Sequence, residues 1–504
     1  MTQKRPMSER PSVTSPEKHS STVGLARSAL LESRRQFLAR TSAGLGMAAV
    51  ASLLESSATA APPRASALGD DSATGGLLDR HLQPTAKRVI YLFQAGGPSH
   101  MDLFDYKPRL NKEDGLELPP SIKGDQRVTL MTRSQARFPC FGSPFQFRQH
   151  GQSGQWFSDL VPHLAEVADD LCFIKSMQTE PINHDPAMMF MQTGRGIAGR
   201  PAMGSWLHYG LGSECANLPA FVVMTSGITM QPILSRYFHS GFLPSRYQGV
   251  QFQSTGDPVL FISNPAGVDH QARGQSIDAV NALNRINFDR FADPEIDARI
   301  DAFQMAYQMQ SSVPELVDFS DEPQHILDMY GPDVNKQGTY AYQCLLARRL
   351  AERGVRFVQL FHAGWDQHYA LRQDIARQAT ASDQPSAALI KDLRQRGMLE
   401  DTLVVWGGEF GRTAYTQGKD GRDHHPRCFT TALAGGGIRG GVTYGSTDEY
   451  GYNIAENLVH VRDFHATLLH CLGIDHRQFS YKFQGLDAKL TGVEPARVVR
   501  EILA

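Results

Sequence analysis

The sequence has no C-x-x-C pair. Its six cysteines stand at 140, 172, 215, 344, 428 and 471 in a chain of 504 residues. Zinc-finger and thioredoxin-type readings therefore fail, and cysteines this sparse cannot build a disulfide scaffold. An excess of positive charge is also lacking. The 50 Lys and Arg against 52 Asp and Glu leave a formal net charge of −2. A nucleic-acid binder needs a basic face to neutralise phosphates, so this balance argues against that class. No apolar run reaches the roughly 20 residues that a membrane-spanning helix needs, and no internal repeat is visible. What is present is an ordinary globular composition, 41 % apolar and 20 % charged. The length allows two to four domains, or one large α/β domain with insertions.

The first sixty residues read as an address. Residues 1–32 are polar and rich in Ser and Pro, and Ser33-Arg34-Arg35-Gln36-Phe37-Leu38 follows. Paired arginines ahead of a short apolar stretch (Thr41 to Leu54, diluted by Gly44 and Gly46) resemble a twin-arginine export signal. Ala58-Thr59-Ala60 fits a small-x-small cleavage site. The expectation is a signal region over 1–60, a linker over 61–86, and export to the periplasm or beyond. The twin-arginine export machinery would then be a partner. That route moves folded proteins, so the cysteines are expected as buried thiols.

From residue 87 to 504 short β-rich runs end in glycines and polar residues. They are Arg88–Phe93, Leu171–Ile174, Phe221–Met224, Val355–Phe361, Thr402–Trp406 and Phe429–Leu433. Helical patterns separate them. Asp293-Pro294-Glu295 starts one helix, with Ile296, Ile300, Phe303 and Tyr307 on one face. Tyr340 to Arg353 stops at Gly354, Pro385 to Gly397 repeats the design, and Asp463 would cap a helix through Leu472. This alternation predicts an α/β fold with a mainly parallel sheet and helices on both faces. Residues 234–287, rich in Gln, Gly and Pro, are expected as an insertion over the sheet.

Sites in such sheets form at the carboxyl ends of strands. Those ends carry His100 and Asp102, His184 and Asp185, Asp366 and His368, Glu409, and Asp423, His424 and His425. Parallel strands would bring all five clusters to one edge. Imidazoles mixed with carboxylates suit a divalent Zn or Mn rather than Ca or Mg. His100, Asp102, Asp366, His368, Glu409 and His424 are the expected metal ligands. His184 is expected as general acid or base. Arg412 is expected to neutralise charge on substrate oxygens, and Ser99 is the fallback nucleophile. His460, His465 and His470 are spaced by five, cannot form one helix face, and read as packing or solvent residues.

At these residues the sequence resembles domain-of-unknown-function family 1501, sulfatase-like exported proteins of the alkaline phosphatase superfamily. The likeness rests on 94–108 (QAGGPSHMDLFDYKP), 348–368, 404–413 (VVWGGEFGRT), 421–426 (GRDHHP) and the tail over 461–492. It implies a single sulfatase-like domain, one or two divalent metals, and hydrolysis of sulfate or phosphate esters of a small molecule or polysaccharide. Sulfatases carry their nucleophile ahead of a Thr-Gly-Arg. The corresponding position before Thr193-Gly194-Arg195 is His184. Direct attack by a metal-activated water is therefore expected in place of a covalent intermediate. The alternative is a non-catalytic metal- or glycan-binding protein on the same fold.

Overall fold

A computed structural model describes residues 81–227, 232–259, 262–265 and 267–504. The signal region and most of the linker lie outside the described residues. The centre is a nine-stranded sheet. In chain order its strands are β1 (Arg88–Ala95), β2 (Leu171–Gln178), β3 (Phe221–Gly227), β4 (Val250–Gln251) and β5 (Phe357–Ala363). The sheet skips a hairpin formed by β7 (Gly411–Gln417) and β8 (Gly421–His425). It continues with β6 (Thr402–Gly407), β9 (Phe429–Ala434), β10 (Val442–Tyr444) and β11 (Val459–His460). The spatial order is β10-β2-β9-β6-β1-β5-β3-β4, with β11 added to β2.

The first strand explains the two-faced core. Its residues 89–95 are all buried, as a parallel strand covered on both sides requires. Ile90 and Leu92 enter one apolar cluster, while Val89, Tyr91 and Phe93 enter the other. Alternation at period two sends neighbours to opposite faces. Helices α4 (Tyr340–Glu352) and α5 (Leu371–Gln395) cover the first face. Helices α1 (His184–Thr193) and α6 (Val461–Cys471) belong to the second. All six cysteines are buried and free.

Five local expectations are revised. First, β9 runs antiparallel to both β6 and β2. Its His-rich segment precedes the strand, so reversal carries that segment to the edge where the parallel strands end. Second, Asp423, His424 and His425, expected at a strand end, lie within a strand of their own, β8, paired with β7. Third, α5 begins at Leu371 and contains Pro385 in its interior. The Ser382 and Ser386 hydroxyls donate to carbonyls four residues back, and twelve further residues of this helix are buried besides Pro385. Packing carries the helix through a residue that would otherwise break it. Fourth, His460 rather than Asp463 caps α6. Its side chain accepts from Arg462 N, while Asp463 reaches back to His460 N. Fifth, part of 234–287 joins the sheet, because Val250–Gln251 pairs with β3. The rest of that stretch leads into α2 (His270–Phe291), which packs on α3 (Pro294–Val317).

Candidate metal centre

The loops after β1, β5 and β6 meet the hairpin β7–β8 and the start of α1. Two glycines permit this approach. Gly96 has φ +117°, and a Cβ there would stand 2.7 Å from Asp366 N. A Cβ on Gly421 would collide with the backbone of His368 and Tyr369. Arg412 then ties the loops together. It is fully buried, donating through Nε to Gly97 O at 2.9 Å and through Nη1 to Arg422 O at 3.1 Å. Its Nη2 reaches Gly96 O, Trp365 O and, at 2.7 Å, Asp366 Oδ1. Every nitrogen of this guanidinium has a protein acceptor, so Arg412 ties the loops after β1 and β5 to strand β8.

Four side chains converge on one point. The ligand atoms of His184, Asp366, His368 and His424 all lie within 4.8 Å of one another. Asp366 Oδ1 stands 3.2 Å from His184 Nε2, 2.8 Å from His368 Nε2 and 3.3 Å from His424 Nε2. Each imidazole is held from behind at Nδ1. Glu409 Oε1 accepts from His184 at 2.6 Å, Gln417 Oε1 from His368 at 2.5 Å, and Ile182 O from His424 at 2.9 Å. Those partners fix which nitrogen carries the proton and leave Nε2 facing inward. His368 Nε2 and His424 Nε2 stand only 2.9 Å apart. Donor atoms bound about 2 Å from one ion lie about 3 Å from each other, so this spacing fits a single divalent cation. Nitrogen-rich ligands of this kind suit zinc above magnesium or calcium.

The electrostatics follow. Burial opposes a charge on Asp366, but the Arg412 guanidinium and the three imidazoles outweigh it and hold the carboxyl well below the usual range. Burial likewise opposes a charge on His184, yet carboxylates at both ring nitrogens raise it to about 9. For His424 burial wins, and Arg412 adds to it, lowering the ring to about 3. Asp366 keeps about a third of its side chain exposed, so solvent reaches the centre on that side.

The other expected residues lie elsewhere. Glu409 is buried behind His184 and also accepts from Gly96 N at 3.0 and 3.2 Å. His100 and Asp102 fall in one helical turn, His100–Leu103, where residues two apart point about 200° from each other. They do not join the four-residue group. Asp102 forms a fully buried bidentate pair with Arg422 at 2.8 and 3.1 Å, and His100 Nε2 sits 3.0 Å from Gly451 O. Ser99 is buried and donates to Asp102. His425 bonds Tyr452 O at 2.6 Å. Sequence reasoning missed Gln417 and Ile182. A lone Gln on a strand and a backbone carbonyl carry no sequence signal.

A family model described as "Protein of unknown function (DUF1501)" matches residues 86–503. No curated protein matches the chain. Among solved structures, a protein in the alkaline phosphatase superfamily from Vibrio parahaemolyticus is 11 % identical, with TM-score 0.35, covering 84 % of this chain and 72 % of that one. The zinc complex of the C-terminal periplasmic domain of EcEptC from Escherichia coli is 8 % identical, with TM-score 0.33, covering 80 % and 87 %. The PsFucS1 sulfatase from Pseudoalteromonas sp. is 12 % identical, with TM-score 0.30, covering 77 % and 68 %. These likenesses are distant, and the chemistry of the site rests on its own residues.

Proposed function

The chain belongs to the DUF1501 family, and within it we propose an exported, metal-dependent hydrolase of sulfate or phosphate esters. One observation carries the metal: the 2.9 Å approach of His368 Nε2 to His424 Nε2, each ring anchored at Nδ1 by an acceptor. Two inward lone pairs at that distance repel unless a proton or a metal ion is shared between them, and the further ligand atoms of His184 and Asp366 within 4.8 Å favour the metal. His184, Asp366, His368 and His424 would hold it. A divalent ion there would polarise an ester oxygen and acidify a bound water.

The chain's own groups do the rest. Glu409 orients His184 and balances charge. Arg412 holds the loops after β1 and β5 in register with strand β8 and keeps Asp366 ionised. His184 suits a ligand role better than the free acid or base expected from sequence, because its Nε2 points into the group. Ser99 is unsuited as a nucleophile, being buried and engaged with Asp102. The partly exposed side of Asp366 is where an ester would enter.

A second reading has its own support. Four protein ligands are typical of structural ions, whereas catalytic zinc keeps an open position. The test is elemental analysis of the purified protein, then a panel of aryl sulfate and phosphate esters. About one metal per chain and metal-dependent turnover support the hydrolase. One metal with no turnover favours the binding protein, and absence of metal after zinc loading overturns both.

A further inference from the structure

The hairpin that delivers His424 is irregular at the residue before it. Arg422 pairs with Thr416 and His424 with Arg412, so Thr413, Ala414 and Tyr415 of β7 stand opposite Asp423 alone. At that point β7 turns to another segment: Tyr415 bridges Cys140, and Ala414 O accepts from Phe141 N at 2.8 Å. Side chains serve the β8 backbone at the gap. Thr413 Oγ1 accepts from Asp423 N at 3.0 Å, and Asp423 Oδ1 accepts from His424 N at 2.8 Å. The other carboxylate oxygen, Asp423 Oδ2, accepts from Thr129 Oγ1 at 2.6 Å and Thr132 Oγ1 at 2.5 Å. Asp423 and Thr132 are fully buried, and Thr129 nearly so.

Burying a carboxylate costs free energy unless its oxygens are hydrogen-bonded. Three donors meet that requirement here, and one of them is the backbone of a residue in the His/Asp group. Irregular pairing of this kind re-aims side chains near functional sites. The neighbours of His424 show the result: Arg422 leaves for Asp102, and His425 for Tyr452 O. His424 is the residue of β8 that enters the four-residue group. Its ring is held by Ile182 O at Nδ1, but a ring held at one nitrogen can still swing about that bond. Fixing the backbone as well removes the swing. We propose that Asp423 is a positioning residue, which sets the backbone of His424 so that Nε2 faces the centre. This inference rests on the metal reading of the group.

The experiment measures zinc affinity of the full chain by competition with a chelator. Zinc has a filled d shell, so the geometry of the site is read from the visible bands of the cobalt(II)-loaded protein. Partners behind metal ligands are typically worth about 10–100-fold in affinity. Asp423→Ala should weaken zinc within that range per folded chain and alter the cobalt bands. Asp423→Asn keeps an acceptor for His424 N and should recover most of the affinity and the original bands. Unchanged affinity and bands in folded Asp423→Ala would mean that Ile182 O suffices, which overturns the proposal and leaves the metal site standing. A loss in Asp423→Asn as large as in Asp423→Ala also overturns it, because charge and not aim would then be at work. If Asp423→Ala does not fold, Thr132→Val decides, since it removes one of the three bonds: several-fold weaker zinc supports the proposal, and no change overturns it. If the unaltered protein takes up neither metal, the metal reading falls, and this inference with it.

Discussion

His368 and His424 meet through Nε2 atoms 2.9 Å apart, one from the loop after a parallel strand and the other from a hairpin strand. The hairpin is a two-stranded sheet separate from the main one, and it brings an imidazole to the edge where the loops after β1 and β5 meet.

Removing either imidazole should empty the centre. His424→Ala and His368→Ala are expected to lower bound zinc from about one per chain to a small fraction, with far-ultraviolet circular dichroism unchanged. Asp366→Ala should do the same. Full metal content in all three variants would show that the ion, if any, lies elsewhere.

Glu409 should act through His184. Partners at the second nitrogen of a ligating imidazole are typically worth about 10–100-fold in metal affinity. Glu409→Gln keeps shape and a hydrogen-bond acceptor but loses the charge, so competition against a chelator should show weakening within that range. Glu409→Ala should weaken binding further. Equal affinity in the two variants would point to steric support alone.

Asp102 and Arg422 should report on stability and not on metal. Both are fully buried, and breaking one side of such a pair strands a charge, at a cost of about 3–5 kcal/mol. Asp102→Ala should therefore lower the melting temperature by several degrees, with zinc per folded chain unchanged. Loss of zinc in the folded fraction would return Asp102 to the ligand set.

Acid should loosen the fold through two histidines far from any expected ligand role. Burial lowers both His362 and His465 to about 4. In the unfolded chain a histidine takes its proton near pH 6.5. The neutral form is thus favoured by folding, so its stabilisation is complete above pH 6.5 and drains away as pH falls towards 4. Each loses about 3 kcal/mol over that window. Denaturant titrations at pH 7.5 and 4.5 should differ accordingly, and His362→Gln should flatten part of the slope.

The address can be tested in cells. With Arg34 and Arg35 both changed to Lys, the chain should stay in the cytosol at full length, while the unaltered chain is cut near Ala60. Extracytoplasmic recovery of the double variant would refute twin-arginine export.

Much of this protein is written in local pattern. The runs at 88–93, 171–174 and 402–406 are short, apolar on both faces and rich in β-branched and aromatic residues, the pattern of a strand covered on both sides. Gly354 and Gly473, both at positive φ, mark helix ends because few other residues accept that backbone. Asp366 and His368, two apart outside a helix, could be read as able to face one ion. His100 and Asp102, equally spaced, could not be separated from them by sequence, because the helical turn that splays them is only four residues long.

The sequence by itself determined the α/β class, the strand runs and the concentration of imidazole and carboxylate at strand ends, since these depend on residues close together in the chain. Only the tertiary structure decided which of those residues share a point. The direction of β9 and the reach of Arg412 to the loops after β1 and β5 are set by contacts between segments dozens to hundreds of residues apart. Such contacts leave no local periodicity to read. The same physics explains why His184 stands in the four-residue His/Asp group while Glu409 lies behind it: a few ångströms of loop packing separate the two positions.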